Sequence, residues 1–400
     1  MFADRVLSGM RPTGRMHIGH YHGALKNWVR LQHEYECLYF AADWHALTTH
    51  YETPEDIAQM TWEMMIDWLA AGLDPSRATL FVQSRVMQHA ELSLLLGMVT
   101  PIGWLERVPT YKDQQLKLAD RDLSNLGFLG YPVMMSADIL VYRANMVPVG
   151  EDQLAHVEIT RELARRFNHI YGREPGFEEK ARDSIRKLGG KKAKQYDELR
   201  TAYQEKGDES ALATARALLT EAQNLSSADR ERLPGFLEGG RRVILPEPKG
   251  LLTENAKVPG LDGQKMSKSY GNAILMREDP AEVTRKVRTM QTDPARVRRT
   301  DPGNPEKCPV WPLHKIYSSA DTRKWVVEGC TTAGIGCLEC KQPVIDGIIA
   351  EQGPIIERAQ KFIDDPKLVR DIVADGCDRA RALAEDTMRD VRSSMGLSYD

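Results

Sequence analysis

No run in the 400-residue chain approaches the ~18 uninterrupted apolar residues that a membrane span requires, so no membrane partner is expected. Cysteine is scarce, six in all, which excludes a secreted scaffold built on disulfides. Neither sign of charge is in excess. Fifty-four Lys and Arg against 57 Asp and Glu leave a net −3. General attraction to nucleic acid, DNA included, is therefore not expected, and any polyanion must be held by local basic patches. The opening Met1-Phe2-Ala3-Asp4-Arg5 runs straight into a strand-like segment and lacks a signal-peptide core. A cytoplasmic globular protein is the expectation. At about 150 residues per domain, the length suggests two or three domains.

The first half reads as α/β. Val6-Leu7-Ser8-Gly9 is a short apolar run that gives way to the turn chemistry of Met10-Arg11-Pro12-Thr13-Gly14. A helical pattern follows from Gly19, with Leu25, Trp28, Val29 and Gln32 on one face. Cys37–Ala42 reads as a buried strand. A helix is predicted from Thr53 and Pro54 to Gly72, with Met60, Met64 and Trp68 as its apolar stripe. Thr79–Val82 and Met146–Val149 read as further strands, and a helix is predicted from the Glu151-Asp152-Gln153 region to about Tyr171. Alternating strands and helices imply a parallel sheet with right-handed crossovers. Ligands of such sheets bind beyond the carboxyl ends of the strands, which makes the turn at 9–20 a candidate site. Residues 176–242 change character, with 14 Lys and Arg against 12 Asp and Glu and the cluster Lys191, Lys192, Lys194. This stretch is expected to be an inserted helical hairpin with a solvated face.

Two motifs carry chemistry. His17-Ile18-Gly19-His20 follows the first strand and its turn. A helix N-terminus there would offer free N–H groups to phosphate, two imidazoles could donate hydrogen bonds as charge shifts, and Gly19 permits close approach of a ligand. Lys265-Met266-Ser267-Lys268-Ser269 lies in a loop flanked by Gly260, Gly263 and Gly271. Its cations and hydroxyls suit a mobile clamp on a polyphosphate whose pyrophosphate departs. Asp138 is a lone acid among Met134, Met135, Ile139 and Leu140. In a pocket it would accept an indole N–H, the one polar handle of that ring.

Together these residues resemble class I aminoacyl-tRNA synthetases and, within that class, the bacterial tryptophanyl-tRNA synthetase family. The likeness is carried by Ser8–Gly14, His17–His20, Tyr131-Pro132, Met135–Leu140, Val147–Gln153 and Lys265–Ser269. It implies a Rossmann-type parallel-sheet catalytic domain over 1–175 and 243–280, interrupted by the 176–242 insertion. It further implies a helical C-terminal domain over 281–400 that binds tRNA and reads the anticodon, and a homodimer. The implied partners are ATP with Mg²⁺, tryptophan and tRNA(Trp). Tryptophan would be activated to its adenylate and then passed to tRNA. By resemblance His17, His20, Lys265 and Lys268 are catalytic. Gly9, Arg11, Pro12, Thr13, Gly19, Gly150, Glu151, Asp152, Val258, Met266, Ser267 and Ser269 join them at ATP, with Asp152 near the ribose and Val258 by the adenine. Leu7, Met135 and Val149 wall the tryptophan pocket, Asp138 reads the indole, and Tyr131 and Gln153 hold the ammonium and carboxylate groups. The chain departs from many relatives in having His20 in place of Asn and Arg11 in place of Gln.

Four of the six cysteines, Cys308, Cys330, Cys337 and Cys340, are close in sequence. Such a set could hold zinc or a [4Fe–4S] cluster. A subset of the family carries a cluster of this pattern, which ranks [4Fe–4S] first and Zn²⁺ second. A structural role is expected, orienting Arg296, Arg298 and Arg299 toward tRNA. Cys37 and Cys377 are expected in the core. Tyrosyl-tRNA synthetase, a small-molecule nucleotidylyltransferase and a non-catalytic nucleic-acid-binding module are the competing readings.

Overall fold

The computed structural model describes residues 3–51, 54–108, 125–150, 154–172, 176–238, 240, 242–252 and 258–399. Five strands form one parallel sheet: β1 (Arg5–Met10), β2 (Glu36–Ala41), β3 (Ala78–Val82), β4 (Met146–Val149) and β5 (Lys249–Leu252), in the spatial order β3-β2-β1-β4-β5. Between the strands run helices α1 (Lys26–Leu31), α2 (Asp43–His50), α3 (Ile57–Ala71), α4 (Gln88–Gly97), α5 (Leu126–Leu140) and α6 (Leu154–Tyr171). The apolar stripe expected of α3 is present, with Met64 and Trp68 fully buried, and Gly72 ends the helix at φ 113°, a conformation that suits glycine. The helix starts three residues later than Pro54, which instead accepts from Ile57 N in a preceding turn; the Thr53 cap lies outside the described residues.

Strand order reverses between β1 and β4, the place where such sheets open a crevice. The β1–β4 ladder consists of one pairing, Val6 with Met146. Two residues further on in this register β4 carries Pro148, which has no N–H to give, and there the strands part around a cavity.

Residues 176–242 form four helices rather than the expected hairpin: α7 (Phe177–Lys187), α8 (Gly190–Lys206), α9 (Glu209–Thr220) and α10 (Ser227–Leu237). Three breaks explain the difference. Gly189 and Gly207 adopt positive φ, and the Ser226 side chain caps α10. The four helices bury a core of their own, including Ile185, Tyr196, Leu219, Leu233 and Phe236. A polar network fastens this unit to the body. Buried Glu231 pairs with Arg143 and Arg242, and both arginines also reach Asp390, at 2.6 and 3.4 Å.

The remainder is helical: α11 (Pro280–Thr289), α12 (Trp311–Tyr317), α13 (Ala320–Thr331), α14 (Cys337–Asp364) and α15 (Pro366–Ser394). The last helix covers the exposed edge of the sheet. Gly376 lies against the Leu80 carbonyl of β3 so closely that no Cβ fits, and Val373, Cys377, Ala380 and Met388 share one core with the sheet. Cys37 and Cys377 are both core residues, as expected.

Candidate functional site

The cavity between β1 and β4 has a volume of about 260 Å³. Leu7, Gly9 and Arg11 line it from β1 and its turn, and Val149 lines it from β4. Tyr131, Met135 and Asp138 line it from α5. All five predicted pocket residues with described positions are thus brought together; Gln153 lies outside the described residues. Gly9 is required by packing, because a Cβ there would enter the Phe40 ring. Sequence reasoning missed His45, Phe40, Phe128 and His156, which line the same cavity.

Asp138 is 1% exposed. Its Oδ2 accepts from His45 Nε2 at 2.7 Å, and its Oδ1 from His89 Nδ1 at 2.6 Å and Gln83 Nε2 at 2.8 Å. Burial alone would push its pKa up, but His45 and His89 outweigh burial and hold the carboxyl below its usual range. An ionised carboxylate therefore stands at the wall of a cavity of mixed lining, with Leu7, Phe40, Met135 and Val149 as apolar walls and Arg11, His45 and His156 as polar ones. Tyr131 OH, on the same cavity wall, lies 3.2 Å from His156 Nε2.

A second group of residues assembles beside it. The turn after β1 and the segment after the Lys265–Ser269 loop are stitched together by backbone. Ile18 N donates to Ile274 O at 2.9 Å, and Met276 N donates to Met16 O at 2.8 Å. Buried Asp67 of α3 accepts from Met16 N at 2.6 Å and from Arg277 Nε, so one carboxylate anchors both segments. Apolar contacts repeat the connection: Ile18, Val258, Met266 and Ile274 belong to one buried cluster. The loop itself is organised by Asn272, which accepts from Ser267 N at 2.7 Å and donates to Asp262 Oδ1 at 2.7 Å. Gly260 leaves room for the Asn272 amide. Neither Asp67 nor Asn272 was predicted. The signal for Asp67 was an acid directly preceding Trp68 in an apolar stripe.

Within this frame the charged and titratable groups converge. His17 and His20 stack with ring centroids 3.6 Å apart. His20 Nδ1 accepts from His17 N at 3.3 Å, which leaves the ring proton on Nε2, free for a ligand oxygen. Burial first, then Lys268 and Lys265, lowers the pKa of His17 to about 4. Burial, then His17 and the two lysines, lowers that of His20 to about 3. Both rings are neutral donors at pH 7. Gly19 is fixed before any ligand arrives, since a Cβ would stand 2.9 Å from His17 Nδ1 and 3.5 Å from Met266 Cβ. Lys268 Nζ donates to the carbonyls of Thr13 and, at 2.7 Å, Arg15, and burial depresses its pKa. Lys265 is exposed. Pro12 is buried, Thr13 is exposed, and Arg11 is exposed where it lines the cavity. Gly150 ends β4 half-buried; Glu151, Asp152 and the Ser269 side chain lie outside the described residues.

The four cysteines also draw together. Cys308 precedes α12, Cys330 lies in α13, and Cys337 and Cys340 form the first turn of α14. Burial pushes the Cys340 thiol up to about 12, and the neighbouring Cys308, Cys330 and Cys337 add to that shift. Cys340 Sγ lies 3.3 Å from His314 Nε2. Four mutually interacting thiols are the donor chemistry a metal cluster uses. Among the described residues, however, no three His, Cys, Asp or Glu side chains stand in closed metal-holding geometry. Arg296 corrects an expectation. It is buried, donating to Ile335 O at 2.6 Å and Arg299 O at 3.0 Å, so it braces this region, while Arg298 and Arg299 are exposed.

A family model described as tRNA synthetases class I (W and Y) matches residues 3–190 and 211–350. A tryptophan–tRNA ligase of Ralstonia nicotianae is 70% identical over 399 residues, covering all of both chains. One from Thermotoga maritima is 43% identical over 397 residues, covering 99% of this chain and all of the other. The solved tryptophanyl-tRNA synthetase of Campylobacter jejuni, complexed with ADP and tryptophan, superposes with a TM-score of 0.72. It is 26% identical and covers 98% of this chain and all of its own.

Proposed function

The chain belongs to the class I tRNA synthetases for tryptophan and tyrosine, with the activity of a tryptophan–tRNA ligase, and from that premise we propose which residues serve each substrate. The reaction has two steps. A carboxylate oxygen of tryptophan attacks the α-phosphorus of ATP, the bond to the β-phosphate breaks, and pyrophosphate leaves. A ribose hydroxyl of the tRNA terminus then attacks the adenylate's carbonyl carbon and AMP leaves. Neither step needs a protein nucleophile, so positioning and electrostatics must supply the acceleration.

The cavity between β1 and β4 takes the tryptophan side chain, with Leu7, Met135 and Val149 against the ring and Asp138 accepting the indole N–H. The observation that carries this reading is an ionised, buried carboxylate at the wall of the cavity that Leu7, Met135 and Val149 also line, since leaving it unpaired penalises any ligand without a donor there. Tyr131 and Gln153 take the ammonium and carboxylate groups. ATP lies across the turn at Gly9–Thr13, Gly19 and His20, with Gly150, Glu151 and Asp152 at the ribose and Val258 by the adenine. His17 and His20 donate neutral N–H groups to phosphate oxygens. Lys265 and Lys268, with Met266, Ser267 and Ser269 in the same loop, neutralise the charge that grows on departing pyrophosphate beside Mg²⁺. Lys268 must leave the Thr13 and Arg15 carbonyls to do so, which makes the loop's closed form depend on ATP. ATP–pyrophosphate exchange with tryptophan or tyrosine added in turn tests the assignment. Exchange with tryptophan alone is expected, and exchange with tyrosine would overturn the reading of Asp138.

Three further assignments belong to the same proposal. Residues 281–400 carry tRNA and anticodon binding, and α8 of the insertion contacts tRNA backbone through Lys191, Lys192 and Lys194. Cys308, Cys330, Cys337 and Cys340 hold a [4Fe–4S] cluster, with Zn²⁺ as the alternative; the group would tie three helical segments together. Support comes from the mutual influence of the four thiols, and anaerobic purification followed by metal analysis and visible absorption tests it. The active form is a cytoplasmic homodimer. Met87, Leu94 and Met98 recur at helical spacing on and beside α4 and are 63%, 64% and 67% exposed, an apolar face suited to a second copy. No helix of the described residues is long and apolar enough to cross a membrane.

A further inference from the structure

Asp138 has more donors around it than contact with one ligand group demands. A carboxylate offers about four acceptor positions, two on each oxygen. Oδ1 receives Gln83 Nε2 and His89 Nδ1 and is filled, whereas Oδ2, among the described residues, receives only His45 Nε2. His45 lines the cavity, but Gln83 and His89 do not; both lie behind the carboxylate with no exposure. The chain of bonds continues inward, since His89 Nε2 is 2.7 Å from Tyr142 OH, itself fully buried. Gln83 is held there at a cost. Its Oε1 is buried with no hydrogen-bond partner among the described residues. An unpaired buried carbonyl is destabilising. Packing alone would favour an apolar side chain at this place. The amide is explained if its N–H performs a task on Asp138.

We infer that Gln83 and His89 are positioning residues for amino-acid selection: by filling Oδ1 from behind they fix the carboxylate plane and leave the one open acceptor, on Oδ2, for a single N–H donor in the cavity. The ligand class selected is an aromatic amino acid with a ring N–H. An isostere with sulfur or oxygen at that atom brings no donor and leaves the acceptor unpaired. The inference rests on the reading that Asp138 accepts the indole N–H, and the variants below separate the two.

The test is ATP–pyrophosphate exchange by the full chain with tryptophan and with its benzothiophene analogue, in which sulfur replaces the ring N–H. His89→Leu and Gln83→Met are each expected to raise KM for tryptophan about 10-fold, from loss of one charge-assisted bond, and to move the analogue's KM less than about 2-fold. The loss should fall on KM rather than kcat. His89→Asn keeps an N–H near the Nδ1 position and should recover most of it. Tyr142→Phe leaves His89 packed and should raise the tryptophan KM by a few-fold only, which keeps the test open if His89→Leu does not fold. Equal rises for tryptophan and analogue, or no recovery in His89→Asn, would mean a merely structural role and overturn the inference. Asp138→Asn is the control for the parent reading. If it collapses the preference for tryptophan while His89→Leu and Gln83→Met leave it intact, only the positioning role fails. If Asp138→Asn also preserves the preference, the indole assignment fails as well.

Discussion

At the proposed amino-acid end of the cleft Asp138 is bound by side chains from three separate elements and is almost without exposure, while at the proposed nucleotide end Lys265 is exposed and His17 Nδ1 is buried without a partner among the described residues. The first end is rigid because its hydrogen bonds are nearly complete before a ligand arrives. The second end is held at its roots by Asp67, Asn272 and the 16–18 to 274–276 pairing and docked by Met266; its Lys268 is engaged by the Thr13 and Arg15 carbonyls, to be exchanged for substrate, while Lys265 is left exposed. That difference fits the two tasks proposed for the two ends. Selection between similar side chains needs a fixed acceptor whose unpaired state is penalised. Phosphoryl chemistry needs charges that meet the substrate as its own charge develops, which a saturated site could not offer.

The sharpest way to break this comparison is Lys268→Ala. If the nucleotide end acts on the transition state, kcat for exchange should fall about 10²–10³-fold, the range for losing one preorganised electrostatic group, with KM for tryptophan little changed. Steady-state exchange kinetics over a tryptophan series would show this, and an effect confined to KM would put Lys268 in ground-state binding. Met266→Ala is the next in size. Met266 is 4% exposed and anchors the loop in the cluster with Ile18 and Val258. Its truncation should lower kcat about 10-fold through loss of loop docking, while the burial lost is only about 2 kcal/mol and the melting temperature should shift by a few degrees.

Much of the nucleotide end could be read directly from the chain because its motifs are local. A turn followed by His17–His20, and five consecutive residues from Lys265, declare themselves by spacing. The walls Leu7, Met135 and Val149 could be read only through resemblance, since an apolar residue in a strand or helix looks the same in a core. Gln83, His89 and Asn272 were not legible. Each is a single polar residue whose meaning comes from a partner 55, 49 or 5 positions away, and only the tertiary fold makes the pairing. The strand order was within reach of pattern and topology rules, but the four-helix form of 176–242 was not. Its breaks were present as Gly189, Gly207 and Ser226, yet a polar, charged stretch hides the apolar period that would have marked each helix.

A third expectation uses pH. His17 and His20 have pKa values lowered to about 4 and about 3 by burial and neighbouring cations, against about 6.5 when unfolded. Between pH 6.5 and about 4 the unfolded chain therefore binds protons that the folded chain refuses, so their contribution to stability is complete above 6.5 and falls as the pH drops through this window. Urea midpoints at pH 7.5 and 5.5 should show a smaller acid-side loss for His20→Asn than for the unaltered protein. An equal loss would mean the ring is protonated in the fold. Binding of ATP, which brings negative charge to both rings, should raise their pKa values and partly restore stability at pH 5.5.

The smallest effect should come from a surface that neither end of the cleft uses. The first turn of α8 carries Lys191 and Lys192 and no acid, and Lys194 follows directly, which sets cations at and beside the positive end of the helix dipole. Among the described residues only Lys194 has an ion pair near it, Glu198 at 3.9 Å, with both side chains largely exposed, an arrangement worth little. The cluster is thus mildly unfavourable to its own helix, by about 0.3–1 kcal/mol per charge. A partner that is a polyanion would give it a use. Replacing all three with Ala should leave ATP–pyrophosphate exchange unchanged, weaken tRNA binding a few-fold and flatten its salt dependence by about one unit of slope per lost phosphate contact. The melting temperature should rise slightly at the same time. This opposite movement of stability and tRNA affinity is the diagnostic result. Unchanged affinity with a raised melting temperature would leave the lysines as a solvated face and confine tRNA recognition to other parts of the chain.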